Sequence, residues 1–483
     1  MTLVTIIIYL AIVSFIGLFS HRFFRGTGED YFLATRSIGP VILLMSLFGT
    51  HMTAFSLLGA SGEAYRIGIG VFGLMASSSA IVVPLLFLLV GKKAWQVGKE
   101  FGYTTQVEYF RARWGSDKLG ALIFVTLVAF LVPYLLIGVM GGGITLNEIT
   151  DGQIPAWVGG LLVSVVVMIY VTAGGLRGTA WANTFQTLVF MLLGGVTFVI
   201  IIDKLGGLSS SMSMISEGRP ELLIRGERIT PLTMVSYLYI PMSAGMFPHL
   251  FMHWLSAKDS RSFDFPVIAY PVCIAIVWIP SVLLGVFGHI GFPALQGPAS
   301  NSILVMMINQ YAPGVLAGLL AAGVFAAVMS SLDSQVLSLG TMFTNDIVRH
   351  YGFRQQMSEQ QIILAGRLFV VVILGLTWLI SLVANRSIFG LGVWSFSGFA
   401  SLLPLVVAAL YWRKSNKYGG YASIITALVL WIYFFNEGWG KAGYTVGETG
   451  ILPAAVIVIA SSAAMIVGSR VGTWRDNSGS KVK

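Results

Sequence analysis

The sequence predicts an all-α polytopic membrane protein, and three observations carry that reading. Of 483 residues, 56% are hydrophobic and only 10% charged, where a soluble domain carries about 25% charged residues. Mean hydropathy is +0.83. The apolar residues gather into long runs of Val, Ile, Leu, Phe and Gly, separated by short clusters of Lys and Arg. Such runs suit a bilayer, where each backbone group must find its partner inside its own segment.

Dividing the chain by the roughly 20 apolar residues that cross a bilayer gives about thirteen spans. They fall near 3–21, 39–62, 70–92, 119–146, 155–173, 184–203, 230–255, 264–290, 313–346, 362–384, 388–412, 419–436 and 450–469. The first lacks the basic start and small-residue cleavage site of a secretory signal, so it reads as a retained span. An odd count sets the termini on opposite sides. With the N-terminus outside, 22 of the 29 Lys and Arg residues fall on the cytoplasmic side, among them Arg22, Arg25, Arg36, Arg111, Arg113, Arg354, Lys481 and Lys483. Seven fall outside: Arg66, Lys204, Arg219, Arg225, Arg228, Arg386 and Lys441. This is the expected excess of positive charge on the cytoplasmic side, and it predicts a multi-pass plasma (inner) membrane protein with a cytoplasmic C-terminus.

The net charge of +9 is therefore topological, and no nucleic-acid partner is expected. Cys273, the single cysteine, excludes an intrachain disulfide and any zinc spacing. Loops between the spans are too short for a soluble catalytic domain, and no HExxH or GxSxG motif lies within a span, so the chain does not read as an enzyme.

Two spans are interrupted by polar or helix-breaking residues. The second holds Phe48-Gly49-Thr50-His51-Met52-Thr53-Ala54, and the seventh holds Pro241-Met242-Ser243-Ala244-Gly245-Met246-Phe247-Pro248-His249. Counted from the second span, these are the first and sixth of ten. Breaks at matching places in two five-helix halves point to an inverted-repeat transporter with its site at the break. A Gly/Pro kink used for packing is the plainer alternative. The implied organisation is 1–38 (first helix and linker), 39–203 (first repeat), 230–412 (second repeat) and 413–483 (two accessory helices and tail).

The ninth span supplies a second signal in Ser330-Ser331-Leu332-Asp333-Ser334. Ionisable groups at membrane depth are expensive and point to function, and a hard cation such as sodium takes oxygen ligands. Equally, serine hydroxyls bond back to the carbonyl of the preceding turn, with the segment's lower end in cytoplasmic water.

These residues resemble the sodium:solute symporters. Tyr31-Phe32-Leu33-Ala34-Thr35-Arg36-Ser37 is similar to the family's stretch after the first span, and Gly174 to Gln186 to its GG-x-x-AV-x-WTD-x-x-Q loop. Ala326 to Ser334 resembles its AA-x-MSS-x-x-S segment, and Leu403-Pro404 through Tyr411-Trp412-Arg413 its P…LYW-K/R ending. The resemblance implies a leucine-transporter-type core of ten helices, with one helix before and two after. It implies a sodium ion as coupling ion, held by the carbonyls of Gly49, Met52 and Ala327 and the hydroxyls of Ser330 and Ser331; one such ion is expected, because Asn183 lacks the charge of the family's usual Asp. Solute would contact His51, Thr53, Phe55, Ser56, Met75, Ser78 and Ser334; His249 joins them from its place at the second break.

Two departures matter. Asn183 stands where the family usually has Asp, a residue linked to the cytoplasmic sodium route and in some members to a second sodium. His51 replaces the more usual Asn, Asp or Ser and brings a side chain that titrates near neutral pH; a satisfied interhelical hydrogen bond is the plainer reading. Asn183 and Asp333 are expected in coupling or gating, though Asp333 equally suits a cap facing cytoplasmic water. The function these features predict is sodium-coupled symport of a small polar solute by alternating access, in a protein that works as a monomer. An amino acid or short carboxylate leads and a sugar follows. Proton coupling within the same fold, or a transporter-like solute sensor, are the alternatives.

Overall fold

The computed structural model describes residues 2–19, 36–226, 229–312, 314–352, 357–384, 387–438, 441 and 443–479. Tyr31 to Thr35 of the first motif lie outside the described residues, as do Arg22, Arg25, Arg228, Arg354, Arg386, Lys481 and Lys483 of the charge count. No strand occurs among the described residues, and one isolated bridge pairs Ile38 with Ala257.

Ten helices among the described residues are long and apolar enough to cross a membrane, or eleven if one bent pair is a single span. In chain order they begin with α1 (Thr2–Phe19), the bent pair α2 (Pro40–His51) and α3 (Phe55–Ile67), and α4 (Phe72–Phe101). A short helix α5 (Gln106–Trp114) precedes α6 (Asp117–Ile149). The apolar but shorter α7 (Ala156–Thr172) leads into α8 (Gly178–Lys204). Between them Gly175 adopts φ 57° and ψ −156°, a left-handed conformation open to glycine, and the direction changes there.

After α9 (Leu208–Gly218), the seventh predicted span arrives in pieces: α10 (Pro231–Tyr237), a tight 3₁₀ turn at Ile240–Gly245, and α11 (Pro248–Leu255). Each piece is too short to span alone. The chain continues with α12 (Ser260–Gly291), α13 (Ile303–Tyr311), α14 (Gly314–Arg349), α15 (Gln360–Ser381), α16 (Ile388–Tyr411), α17 (Lys417–Gly438) and α18 (Pro453–Thr473). Helices α5, α9 and α13 fall between the predicted spans. They are shorter than a bilayer crossing, so a search for long apolar runs passes over them. Only α5 advertised itself, through the reciprocal Thr105–Glu108 capping box.

Burial separates the helices by environment. In α14 the most apolar window is 83% buried inside the protein, whereas in α15 it is 22%. Helix α14 packs against α6, α7, α8, α2 and α1 and forms the centre of the bundle. Helix α15 turns Leu368, Val372, Leu376 and Leu379 outward. An apolar surface of that extent suits lipid and not water.

Both predicted breaks are present. Helices α2 and α3 meet at 57°. In the second, Phe247 is extended and Pro248 restarts the helix at its first position, where a missing N–H costs nothing.

Candidate ion and solute site

The first break is built locally. Met52 leaves the helix at φ −89° and ψ 89° while its N–H still donates to Phe48 O at 2.8 Å. Thr53 Oγ1 accepts the N–H of Phe55 at 2.9 Å, and the Ser56 hydroxyl donates to Thr53 O at 2.9 Å, so the two side chains begin the new helix. Distant residues then hold the break. The indole N–H of Trp278 donates to Met52 Sδ at 3.3 Å, and the Tyr134 hydroxyl donates to His51 O at 3.1 Å.

Against this break lies the serine segment of α14. The Ser330 hydroxyl is 3.0 Å from Gly49 O and 3.2 Å from Ala327 O, so three of the five predicted sodium ligands converge. Ser331 turns its hydroxyl to Val328 O at 3.1 Å. Back-bonding and convergence on the break therefore coexist in adjacent serines. The approach depends on glycine, because a Cβ at Gly49 would stand 2.0 Å from Thr187 Oγ1.

One helical turn further along α14, a second polar group is enclosed. Tyr170 donates to one oxygen of Asp333 at 2.9 Å, and Ser334 to the other at 3.2 Å. Asn183 donates to Ser334 Oγ at 2.7 Å, with His253 Nε2 3.2 Å from the same oxygen. Asp333 is 0% exposed and Ser334 3%, so this part of α14 lies inside the protein and not in water. Asp333 keeps both oxygens hydrogen-bonded, as a buried carboxylate requires. Ser334, predicted beside solute, here belongs with Asn183, Asp333 and His253.

On the other side of the break, aromatic rings enclose two histidines. His51 Nδ1 is hydrogen-bonded to the Tyr270 hydroxyl, and its ring also faces Phe247 and Phe396. His249 stacks on Phe247 at 5.0 Å and tilts against Tyr134 at 5.7 Å. It is buried, and neither ring nitrogen has a hydrogen-bond partner. With both nitrogens unengaged by other side chains or backbone, His249 is a polar group set among aromatic rings. Phe55 extends this cluster by packing on Phe389, Phe396 and Trp278.

Met75 and Ser78 are buried on α4, and Ser78 returns its hydroxyl to Leu74 O at 2.7 Å. Sequence reasoning missed Tyr134, Tyr270, Trp278, Tyr170 and His253. Of these only His253, one turn beyond His249, carried a local signal.

A helical bundle with two interrupted spans, a serine–carbonyl contact at the first and a buried histidine–aromatic cluster beside it, is the architecture of a polytopic secondary transporter. Residues 31–427 match the model of the sodium:solute symporter family, and the chain belongs to that family. It is 27% identical over 479 residues to the sodium/pantothenate symporter of Escherichia coli K12, covering 97% of this chain and 96% of that protein. It is 25% identical over 495 residues to the sodium/proline symporter of the same strain, covering 96% and 94%. Among solved structures, a Na+-coupled sialic acid symporter in a substrate-bound outward-open state superposes with TM-score 0.78 at 18% identity, over 96% of this chain and 98% of that one. A nucleobase-cation-symport-1 family transporter in a closed conformation gives TM-score 0.61 at 13% identity, over 91% and 93%. The fold is therefore of the leucine-transporter type. The protein is a multi-pass plasma-membrane transporter, not an enzyme, and it performs sodium-coupled symport of a small solute.

Proposed function

We propose that the chain carries one amino acid or short carboxylate inward with one sodium ion, by alternating access. The sodium ion is assigned to the carbonyls of Gly49, Met52 and Ala327 and the hydroxyls of Ser330 and Ser331. The observation that carries this reading is the 3.0 Å approach of Ser330 Oγ to Gly49 O. It brings hydroxyl and carbonyl oxygens from two spans together where backbone has left the helix, the donor set a hard cation takes. The solute is assigned to the cluster of His51, His249, Phe55, Thr53 and Ser56, with Met75 and Ser78 on α4 and Ser334 beyond. The unpartnered nitrogens of His249 support that assignment. The start of α3 directs its helix dipole at a carboxylate. The solutes named for the two relatives, pantothenate and proline, both bear one.

Sodium bound at the break would hold α2 and α3 in the arrangement that binds solute, and linkage makes the effect reciprocal. Each sodium charge moving down an inside-negative potential contributes about 2.3 kcal/mol per 100 mV. Asp333 and Asn183, joined through Ser334, are assigned to coupling the ion site to the movement of α14 against α8. The accompanying topology has thirteen spans, counting α7 and the α10–α11 stretch, with the N-terminus outside and repeats over 39–203 and 230–412. The protein acts as a monomer.

The test is uptake into proteoliposomes under a sodium gradient, a proton gradient or neither. The proposal expects saturable accumulation of an amino acid or short carboxylate with sodium alone. Accumulation driven by a proton gradient without sodium would replace sodium coupling by proton coupling. Binding without net flux would point to a sensor.

A further inference from the structure

A cavity of about 280 Å³ lies apart from the His51 cluster, among the C-terminal end of α3, the start of α16 and the segment between α17 and α18. Its size approaches the roughly 300 Å³ at which small-molecule sites begin. The lining is divided by chemistry. Glu63 and Arg66 line one part as an ion pair of 2.7 Å, and Lys441 lines another. Among the described residues of the lining, two cations against one carboxylate leave a net charge of +1.

Aromatic residues share the rest of the lining with aliphatic, proline, serine and glycine residues. Trp394 stacks with Tyr444 at 6.2 Å and meets Phe435 edge-on at 5.5 Å. Phe389, on the same lining, stacks on Phe55 at 4.8 Å. Phe55 packs in turn on Phe396, whose ring faces His51, so this pair lies between the cavity and the histidine cluster. Lys441 is exposed, with its ammonium 5.6 Å from the Tyr444 ring centroid, so its charge sits over the aromatic wall at the accessible side. Cations beside an aromatic slot are complementary to a molecule with an anionic head and an apolar body. Arg66 retains guanidinium nitrogens beyond the one that engages Glu63, and Arg and Lys both hold carboxylates through charge-assisted bonds.

We infer that this cavity is a second solute-binding site, which takes a small carboxylate with an apolar body between Trp394 and Phe389 and orients its head to Arg66 and Lys441. It deepens the transport reading by giving a substrate class and an entry station, and it rests on that reading only for the direction in which solute passes Phe55 and Phe389. The binding itself needs no sodium.

The experiment uses the purified full chain in nanodiscs, in sodium-free choline buffer, titrated calorimetrically with 3-phenylpropionate and with its neutral counterpart 3-phenylpropanol. The acid should bind saturably and the alcohol about tenfold more weakly, the usual effect of losing a charge-assisted hydrogen bond. Lys441→Gln, an exposed change, should weaken the acid about tenfold and leave the alcohol unaffected, and Lys441→Arg should restore it. The paired change Glu63→Gln/Arg66→Gln removes the second cation without stranding a buried charge, and it should weaken the acid likewise. Ser331→Ala, in the proposed sodium cage, should bind the acid as the unmodified protein does. Equal affinity for acid and alcohol, indifference to both cation changes, or loss of acid binding in Ser331→Ala would each overturn the second site. Failure of sodium-driven uptake with this binding intact would instead overturn the transport proposal.

Discussion

Replacing Gly49 by Ala tests whether the approach of α2 to α8 and α14 sets sodium affinity. The added Cβ would meet Thr187 Oγ1 at 2.0 Å, at least 1.0 Å inside the 3.0 Å that real Cβ contacts respect. Thr187 donates that hydroxyl to Met45 O of α2 itself at 3.0 Å, so either this bond or the seat of α2 must give way. A shift of about 1 Å away from Thr187 would change the 3.0 Å contact of Gly49 O with Ser330 Oγ to about 4 Å if the two moved apart. Overpacking of this kind costs about 1–3 kcal/mol. If about 1.4 kcal/mol of that falls on the ion-binding state, the sodium concentration for half-maximal uptake rises about tenfold.

The assay is initial solute uptake into proteoliposomes against external sodium, for Gly49→Ala alone and with Thr187→Ala. In the double variant the nearest surviving atom, Thr187 Cβ, is 3.4 Å away, an ordinary contact. Sodium dependence should then return to within about twofold of the unmodified protein, as a double-mutant cycle for two contacting residues requires. Unmodified sodium dependence in Gly49→Ala alone, or no recovery in the double variant, would refute the reasoning.

Other perturbations separate the remaining groups. Asp333→Asn keeps an acceptor for Tyr170 but removes the charge, so the maximal uptake rate should fall about tenfold or more with little change in melting temperature; undiminished uptake would remove Asp333 from coupling. Tyr270→Phe deletes the partner of His51 Nδ1, and a cost of about 1 kcal/mol should appear as weaker solute affinity at unchanged sodium affinity, measured by competition uptake. Asp346→Ala removes the acceptor of Thr105 at 2.8 Å and the partner of Arg111 at 3.7 Å. Thermal unfolding in detergent should show a loss of about 2 kcal/mol, and an unshifted transition would mean that this network contributes nothing to stability.

The parts of the site legible in the sequence were those with a local signature. The first break announced itself by Gly, Thr and His in an otherwise apolar span, and the ion segment by three serines and a carboxylate within five residues, Ser330 to Ser334. Family resemblance joined the two, and the Ser330–Gly49 contact closes that join across 281 residues. The groups that hold the break had no such signature. Tyr270 reaches His51 across 219 positions, Trp278 reaches Met52 across 226 and Tyr134 reaches the His51 carbonyl across 83. Each is one aromatic residue in an apolar run, and its polar tip acquires meaning only when packing brings an acceptor to it. Asp333 was ambiguous for a related reason. Position along a helix does not say where membrane, protein and water divide, whereas the contacts with Tyr170 and Ser334 do.

Solute-induced current on solid-supported membranes bearing the reconstituted protein tests the central claim most directly. With sodium in the buffer, a jump in an accepted amino acid or short carboxylate should displace positive charge in the direction of transport. In choline the current should vanish, and Ser330→Ala should raise the half-saturating sodium concentration about tenfold, as expected when a ligand of a bound ion is lost. An equal current in choline, or Ser330→Ala with unmodified sodium dependence, would contradict the account.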